Sequence, residues 1–170
     1  MARSLKNKDL KDWHNHPKMG RKIDEAAPFI TFKVPIGRQN GTTYSWGIPN
    51  LLKTCREDLG SELGMVIDLC NTDKWYDPGE LQRAGVKHVK IPIQGKKVQY
   101  ASKLINYFHS ILQIPYEDQV QQFFAEVDDF CAENEDDKLL GVHSTFGGNR
   151  SGIFFSKSKW VMEPGYQYSS

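Results

Sequence analysis

Cysteine is scarce in this chain, three in 170 residues, and Cys55, Cys70 and Cys131 lie far apart with no CxxC pairing. An odd number of isolated thiols excludes a disulfide framework and fits a reducing compartment. His14 and His16 lie close together, but no second ligand cluster accompanies them at the spacing that zinc needs, so no metal site is expected. No apolar run is long enough to cross a bilayer, and the first residues are polar with no hydrophobic stretch behind them. Neither a membrane span nor a secretory signal is therefore expected. An excess of either charge is missing too: 22 basic against 21 acidic residues leave +1. Net charge selects no partner. The basic stretch from Arg3 to Lys22 and the acidic run from Glu126 to Asp137 read as solvated faces, of which a polyanion would avoid the second. Internal repeats and low-complexity segments are absent as well.

What is present is the composition of a globular domain, 39% hydrophobic and 25% charged. The length supports one domain with its own core and is short for two. The expected organisation is a basic arm, 1–22, packing on a single domain, 23–170. Phe29 to Val34 is aromatic and β-branched and stops at Pro35, which predicts a first strand near a sheet edge. Ile48 to Leu59 carries Leu51, Leu52, Cys55 and Leu59 at helical spacing, with Pro49 suited to a first turn and Gly60 to a stop. Met65 to Leu69 is a short apolar run that suits a strand buried on both faces. After a turn at Pro78-Gly79, Val86 to Ile93 alternates apolar and polar residues as a strand does. Helical spacing returns over Tyr100 to Leu112 and Tyr116 to Asn134, separated by Pro115. Lys138 to His143 is a final apolar strand. Strands alternating with helices predict an α/β fold with a mostly parallel central sheet flanked by helices on both faces.

That final strand runs into His143-Ser144-Thr145-Phe146-Gly147-Gly148-Asn149-Arg150-Ser151-Gly152. A strand, a glycine loop and a following helix gather backbone N–H groups at the positive end of a helix, a nest that holds phosphate. Gly147 and Gly148 permit the tight curl, and Thr145, Phe146 and Asn149 complete the loop. Arg150 then returns a planar guanidinium that grips two phosphate oxygens at once. Ser151 places a hydroxyl where it can assist the atom at position 144.

The window resembles the HCxxGxxR signature, followed by Ser or Thr, of protein-tyrosine and dual-specificity phosphatases. It is most similar to the HCTxGxNRTG form of RNA 5′-triphosphatases, the triphosphatase domains of mRNA-capping enzymes and the RNA/RNP-complex-interacting phosphatases. Further likeness runs along most of the chain: Trp13 with Gly20 and Ile23, Phe32-Lys33-Val34-Pro35, Ile67-Asp68-Leu69-Cys70-Asn71-Thr72 with Trp75-Tyr76, and Leu139 to His143. The resemblance implies a protein-tyrosine-phosphatase-like fold, a metal-independent reaction with no cofactor, and an attacking cysteine where this chain has Ser144. His143 would organise the loop, and Arg150 would bind the phosphate and the transition state. It also implies RNA 5′ triphosphate or diphosphate ends as partners, with phosphoprotein as the alternative, and an intracellular site, nuclear by kinship.

A thiol begins near pKa 8.5 and falls further at a helix N-terminus, whereas a serine hydroxyl stays neutral without an adjacent base. Ser144 is therefore expected to cripple turnover while the nest and Arg150 still bind. The resemblance sets the pocket's far side in the loop Gln94 to Val98, which offers no carboxylate as general acid; Lys96 and Lys97 are candidate phosphate contacts there, or a solvated turn. Asp68 is a candidate pocket residue or an organiser of its own loop. Tyr100 to Ile114 reads as an extra helix, and the chain stops at Ser170 where such proteins continue through further helices, an expectation of truncation. Three readings stay open: a phosphate-binding pseudophosphatase, an active phosphatase carrying a deliberate Cys-to-Ser substrate trap, and a scaffold without anion binding.

Overall fold

A computed structural model describes residues 13–20, 28–37, 46–93, 115–147 and 151. Its elements in chain order are β1 (Phe29–Lys33), α1 (Ile48–Asp58), β2 (Leu63–Asp68), α2 (Gly79–Arg83), β3 (Lys87–Lys90), α3 (Glu117–Glu133) and β4 (Leu139–Ser144). The expected helix over Tyr100 to Leu112 lies outside the described residues. None of the described helices is long and apolar enough to cross a membrane.

The four described strands pair in parallel, in the order β1-β4-β2-β3. Alternation of side chains divides the strands between two faces. Ile30, Phe32, Val66 and Leu139 face one cluster with Ile48, Leu51 and Cys55 of α1 and Leu81 of α2. Phe29, Met65, Ile67, Val89, Leu140 and Val142 face the other, with Val120, Phe123 and Val127 of α3. The chain steps from β2 to β3 with α2 on the first face and returns past β2 to β4 with α3 on the second. Reversing direction along a sheet while keeping crossovers right-handed demands that change of face.

The helix ends follow local chemistry. Asn50 reaches back to the Gly47 backbone N–H, at 3.1 Å, and α1 gives way at Gly60, whose φ of 69° is left-handed. At α3, Gln119 accepts from the Tyr116 N–H at 2.9 Å and donates to the Pro92 carbonyl at 2.8 Å, tying the helix start to the chain beyond β3.

Two expectations are corrected. The turn at Pro78-Gly79 opens a short helix, α2, since Pro78 tolerates the helix start and the Asp77 carboxylate accepts the Gly79 N–H at 2.9 Å. The alternating run to Ile93 ends as a strand at Lys90. Ile91 and Ile93 still donate to the Asp68 and Leu69 carbonyls, but Pro92 between them has no N–H to continue the ladder.

β1 is the edge strand of the described sheet, and residues 18–20 cover it. Gly20 donates to the Thr31 carbonyl and Lys33 to the Lys18 carbonyl, at 2.7 and 3.1 Å, with Met19 bridged antiparallel to Phe32. This occupies an edge that would otherwise offer unpaired backbone groups.

Candidate functional site

The parallel register brings Lys33, Asp68, His143 and Ser144 to the same, C-terminal, edge of the sheet. In open α/β sheets that edge is where ligands bind, at the point where the chain changes direction. β4 enters between β1 and β2, so its end is flanked on both sides.

Ser144 is buried there at the end of β4, and its carbonyl accepts the Val34 N–H at 3.1 Å. Three residues on, Gly147 has φ 76°. A Cβ on it would lie 2.7 Å from the Lys33 nitrogen and the Phe32 carbonyl carbon, so the loop folds flat against β1 only because the residue is glycine. Gly141 plays a related part within β4, where a Cβ would meet the Phe32 ring at 2.6 Å. Ser151 is wholly buried, and its hydroxyl has no hydrogen-bond partner among the described residues.

Behind the loop lies a buried polar network. The Tyr76 hydroxyl is 2.8 Å from His143 Nε2, 3.3 Å from His88 Nε2 and 3.4 Å from Asp68 Oδ2. Asp68 Oδ2 accepts from Lys90 Nζ at 2.8 Å, and Oδ1 accepts the Cys70 N–H at 2.8 Å, which shapes the turn after β2. Lys90 also donates to the Thr72 carbonyl and pairs with Asp73. Burial pushes the Asp68 carboxyl up, but His143, His88 and Lys90 outweigh it and hold the group well below the usual carboxylate range. Tyr76 is pushed far above the ordinary phenol by burial and by the Asp68 charge, so it stays a neutral hydrogen-bonding group. The Cys70 sulfur is 3.8 Å from both His143 Nδ1 and Thr145 Oγ1. Asp68, Cys70 and His143 bring three potential metal-ligand atoms within 4.8 Å of one another, and the Lys90 ammonium pairs with the same carboxylate.

On the other flank, Lys33 is buried and its ammonium donates to the carbonyls of Trp13 and His16 at 3.0 and 2.7 Å, lying over the Trp13 ring. Burial, with nearby Lys18, lowers its pKa. The Trp13 indole donates to the Val34 carbonyl at 2.8 Å and Trp46 to the Lys33 carbonyl at 3.0 Å. The bonds of Lys33 to Trp13 and His16, and of Trp13 to Val34, hold residues 13–16 beside the loop. Phe146 is exposed and stacks on His16, ring centroids 4.6 Å apart.

Of the residues singled out in the sequence, Asp68, His143, Ser144 and Thr145 are thus neighbours, Phe146 and Gly147 form the described arm of the loop, and Ser151 is buried. Gly148, Asn149, Arg150, Lys96 and Lys97 lie outside the described residues. Tyr76, His88 and Lys90 were not legible as site residues. His88 and Lys90 read as the polar half of an alternating strand, and nothing local to Tyr76 announces its partners.

A parallel four-stranded sheet with flanking helices, and a strand running into a loop at its C-terminal edge, defines an α/β phosphatase-like fold. No protein-family model matches the chain. It is 33% identical over 161 residues to an RNA/RNP complex-1-interacting phosphatase homolog of Caenorhabditis elegans, covering 90% of this chain and 62% of that one. It is 30% identical over 145 residues to a tyrosine-protein phosphatase of Autographa californica nuclear polyhedrosis virus, covering 82% of this chain and 73% of the viral protein. An mRNA-capping enzyme of Danio rerio is 25% identical over 159 residues, covering 89% of this chain but 24% of the enzyme. The chain therefore belongs to the cysteine-dependent phosphatase superfamily, which includes RNA-triphosphatase-like members. It spans less than two thirds of the length of the worm and fish relatives.

Proposed function

We propose that this domain holds the triphosphate or diphosphate 5′ end of RNA in its loop, residues 143–152, and does not cleave it. The observation that carries the reading is the engagement of His143. Its Nε2 is held by the Tyr76 hydroxyl and its Nδ1 faces the Cys70 sulfur, so both ring nitrogens are directed to groups other than Ser144. A serine hydroxyl needs a base in hydrogen-bond contact to attack phosphorus, and the adjacent imidazole does not serve as one. The anion cradle does not depend on the nucleophile. Replacing a thiolate by a neutral hydroxyl also removes a charge that repels phosphate. RNA is favoured as the ligand by the relatives named for RNA/RNP complexes and mRNA capping. The viral relative named as a tyrosine-protein phosphatase makes phosphotyrosine peptide the comparison ligand.

The test measures binding and phosphate release with a triphosphate-ended RNA oligonucleotide. The chain is expected to bind without release, Arg150→Ala to bind at least about tenfold more weakly from loss of charge-assisted hydrogen bonds, and Ser144→Cys to release phosphate. Release by the unaltered chain that vanished in Arg150→Ala would overturn the binding-only reading. Binding unaffected by Arg150→Ala would point to a scaffold.

A further inference from the structure

Among the described residues Phe146 and Tyr116 are the large hydrophobic side chains left exposed, at 38% and 40%. Tyr116 begins α3, far along the chain from the loop. Phe146 is on the loop itself, two positions after Ser144. It is not a solitary surface ring: the exposed imidazole of His16 lies over it at an interplanar angle of 22°.

Both halves of this stack are held from below by the same residue. The Lys33 ammonium fixes the His16 carbonyl at 2.7 Å, and the Lys33 backbone is the surface against which Gly147, next to Phe146, is wedged. The backbone beneath both rings is thus tied down before any ligand arrives, which lessens the entropy of ordering them on binding.

We infer that His16 and Phe146 form a stacking platform for the base of the first nucleotide of a bound 5′ end; this rests on the phosphate-binding reading above. In an aryl phosphate the ring is one oxygen away from the phosphorus in the cradle and needs a slot directly over it. In a 5′-triphosphate end, two further phosphates and a ribose separate the terminal phosphorus from the base, so the base reaches sideways. An exposed pair of flat rings, one on the loop and one on the segment beside it, suits the second geometry. Every base has a π-face, so the platform confers a preference for nucleotide ends with little choice among bases.

The test compares dissociation constants for adenosine 5′-triphosphate, ribose 5-triphosphate and inorganic tripolyphosphate. The readout is the preference for the adenosine ligand over tripolyphosphate. His16→Ala and Phe146→Ala are each expected to lower that preference by roughly 5- to 100-fold, and Phe146→Trp to keep it. Ribose 5-triphosphate should bind like tripolyphosphate. A preference unchanged in both alanine variants, or ribose 5-triphosphate binding as tightly as the adenosine ligand, would overturn the platform and leave the phosphate cradle standing. Failure of the unaltered chain to bind tripolyphosphate would instead overturn the cradle, and the platform with it. If the alanine variants lost phosphotyrosine and not adenosine triphosphate, the rings would serve an aryl phosphate and the inference would be wrong. His16→Ala lies outside the loop, so its result stands even if Phe146→Ala disturbs the loop.

Discussion

Gly147 is where the loop and the sheet meet most tightly. Any other residue there pays about 1–2 kcal/mol for the left-handed conformation. It also drives a Cβ into backbone atoms of Phe32 and Lys33, which have no rotamer to escape with. Gly147→Ala is therefore expected to lift the loop off β1 and raise the tripolyphosphate dissociation constant at least roughly tenfold, by titration. A near-normal titration would show that the anion is held in some other loop conformation. The buried hydroxyl of Ser151 belongs to the same scale, with no hydrogen-bond partner among the described residues.

At the scale of elements, β4 carries the loop and α3 carries β4. Gly141 lies within β4, and a methyl there meets the Phe32 ring and Leu63 at 2.6 and 3.1 Å. Overpacking of that kind costs about 1–3 kcal/mol. Phe123, fully buried on α3, supports the opposite face, and truncating it leaves a cavity worth about 3–5 kcal/mol. Urea unfolding should rank Phe123→Ala as the more destabilising of the two. Anion titration should rank them the other way, because the Gly141→Ala shift is three residues from Ser144 on the same strand. The reverse ranking in titration would mean that α3, not the β1–β4 contact, sets the loop.

At the scale of the molecule, the Asp68 network joins β2, β3, β4 and the turn that carries Tyr76. Its carboxyl is held below its ordinary value near 4, so the stabilisation is complete above about pH 4 and drains away as the pH falls toward the lowered value. Asp68→Asn is expected to cost about 2 kcal/mol at pH 7, less than a fully buried pair because Lys90 keeps 26% of its side chain in water. Urea midpoints at pH 7 and pH 3 check the sign. The gap between the two proteins should narrow in acid, and a gap that stayed constant would mean that the ionised form of Asp68 contributes nothing. The same network binds His143, the residue before Ser144 on β4.

The helical periodicity of Ile48 to Asp58 and Glu117 to Glu133 was legible in the sequence because each buries one face at its own repeat, and Phe29 to Lys33 was legible from its aromatic and β-branched composition. The family was legible for a different reason: its signature gathers several residue types in one short, contiguous window, His143 to Gly152. Five-residue α2 was not, since a helix that short shows no repeat and Pro78-Gly79 punctuates a turn equally well. Nor was the network, whose side-chain-to-side-chain partners lie 8 to 75 positions apart, from Tyr76 and Asp68 to Cys70 and Thr145. The sequence by itself determined the family, from a signature that follows a buried strand, and that residue 144 is serine. Only the tertiary structure decided what surrounds that serine. Which imidazole nitrogen faces which group depends on how β4 is registered between β1 and β2, and that registry is a property of the packed sheet rather than of any local run of residues.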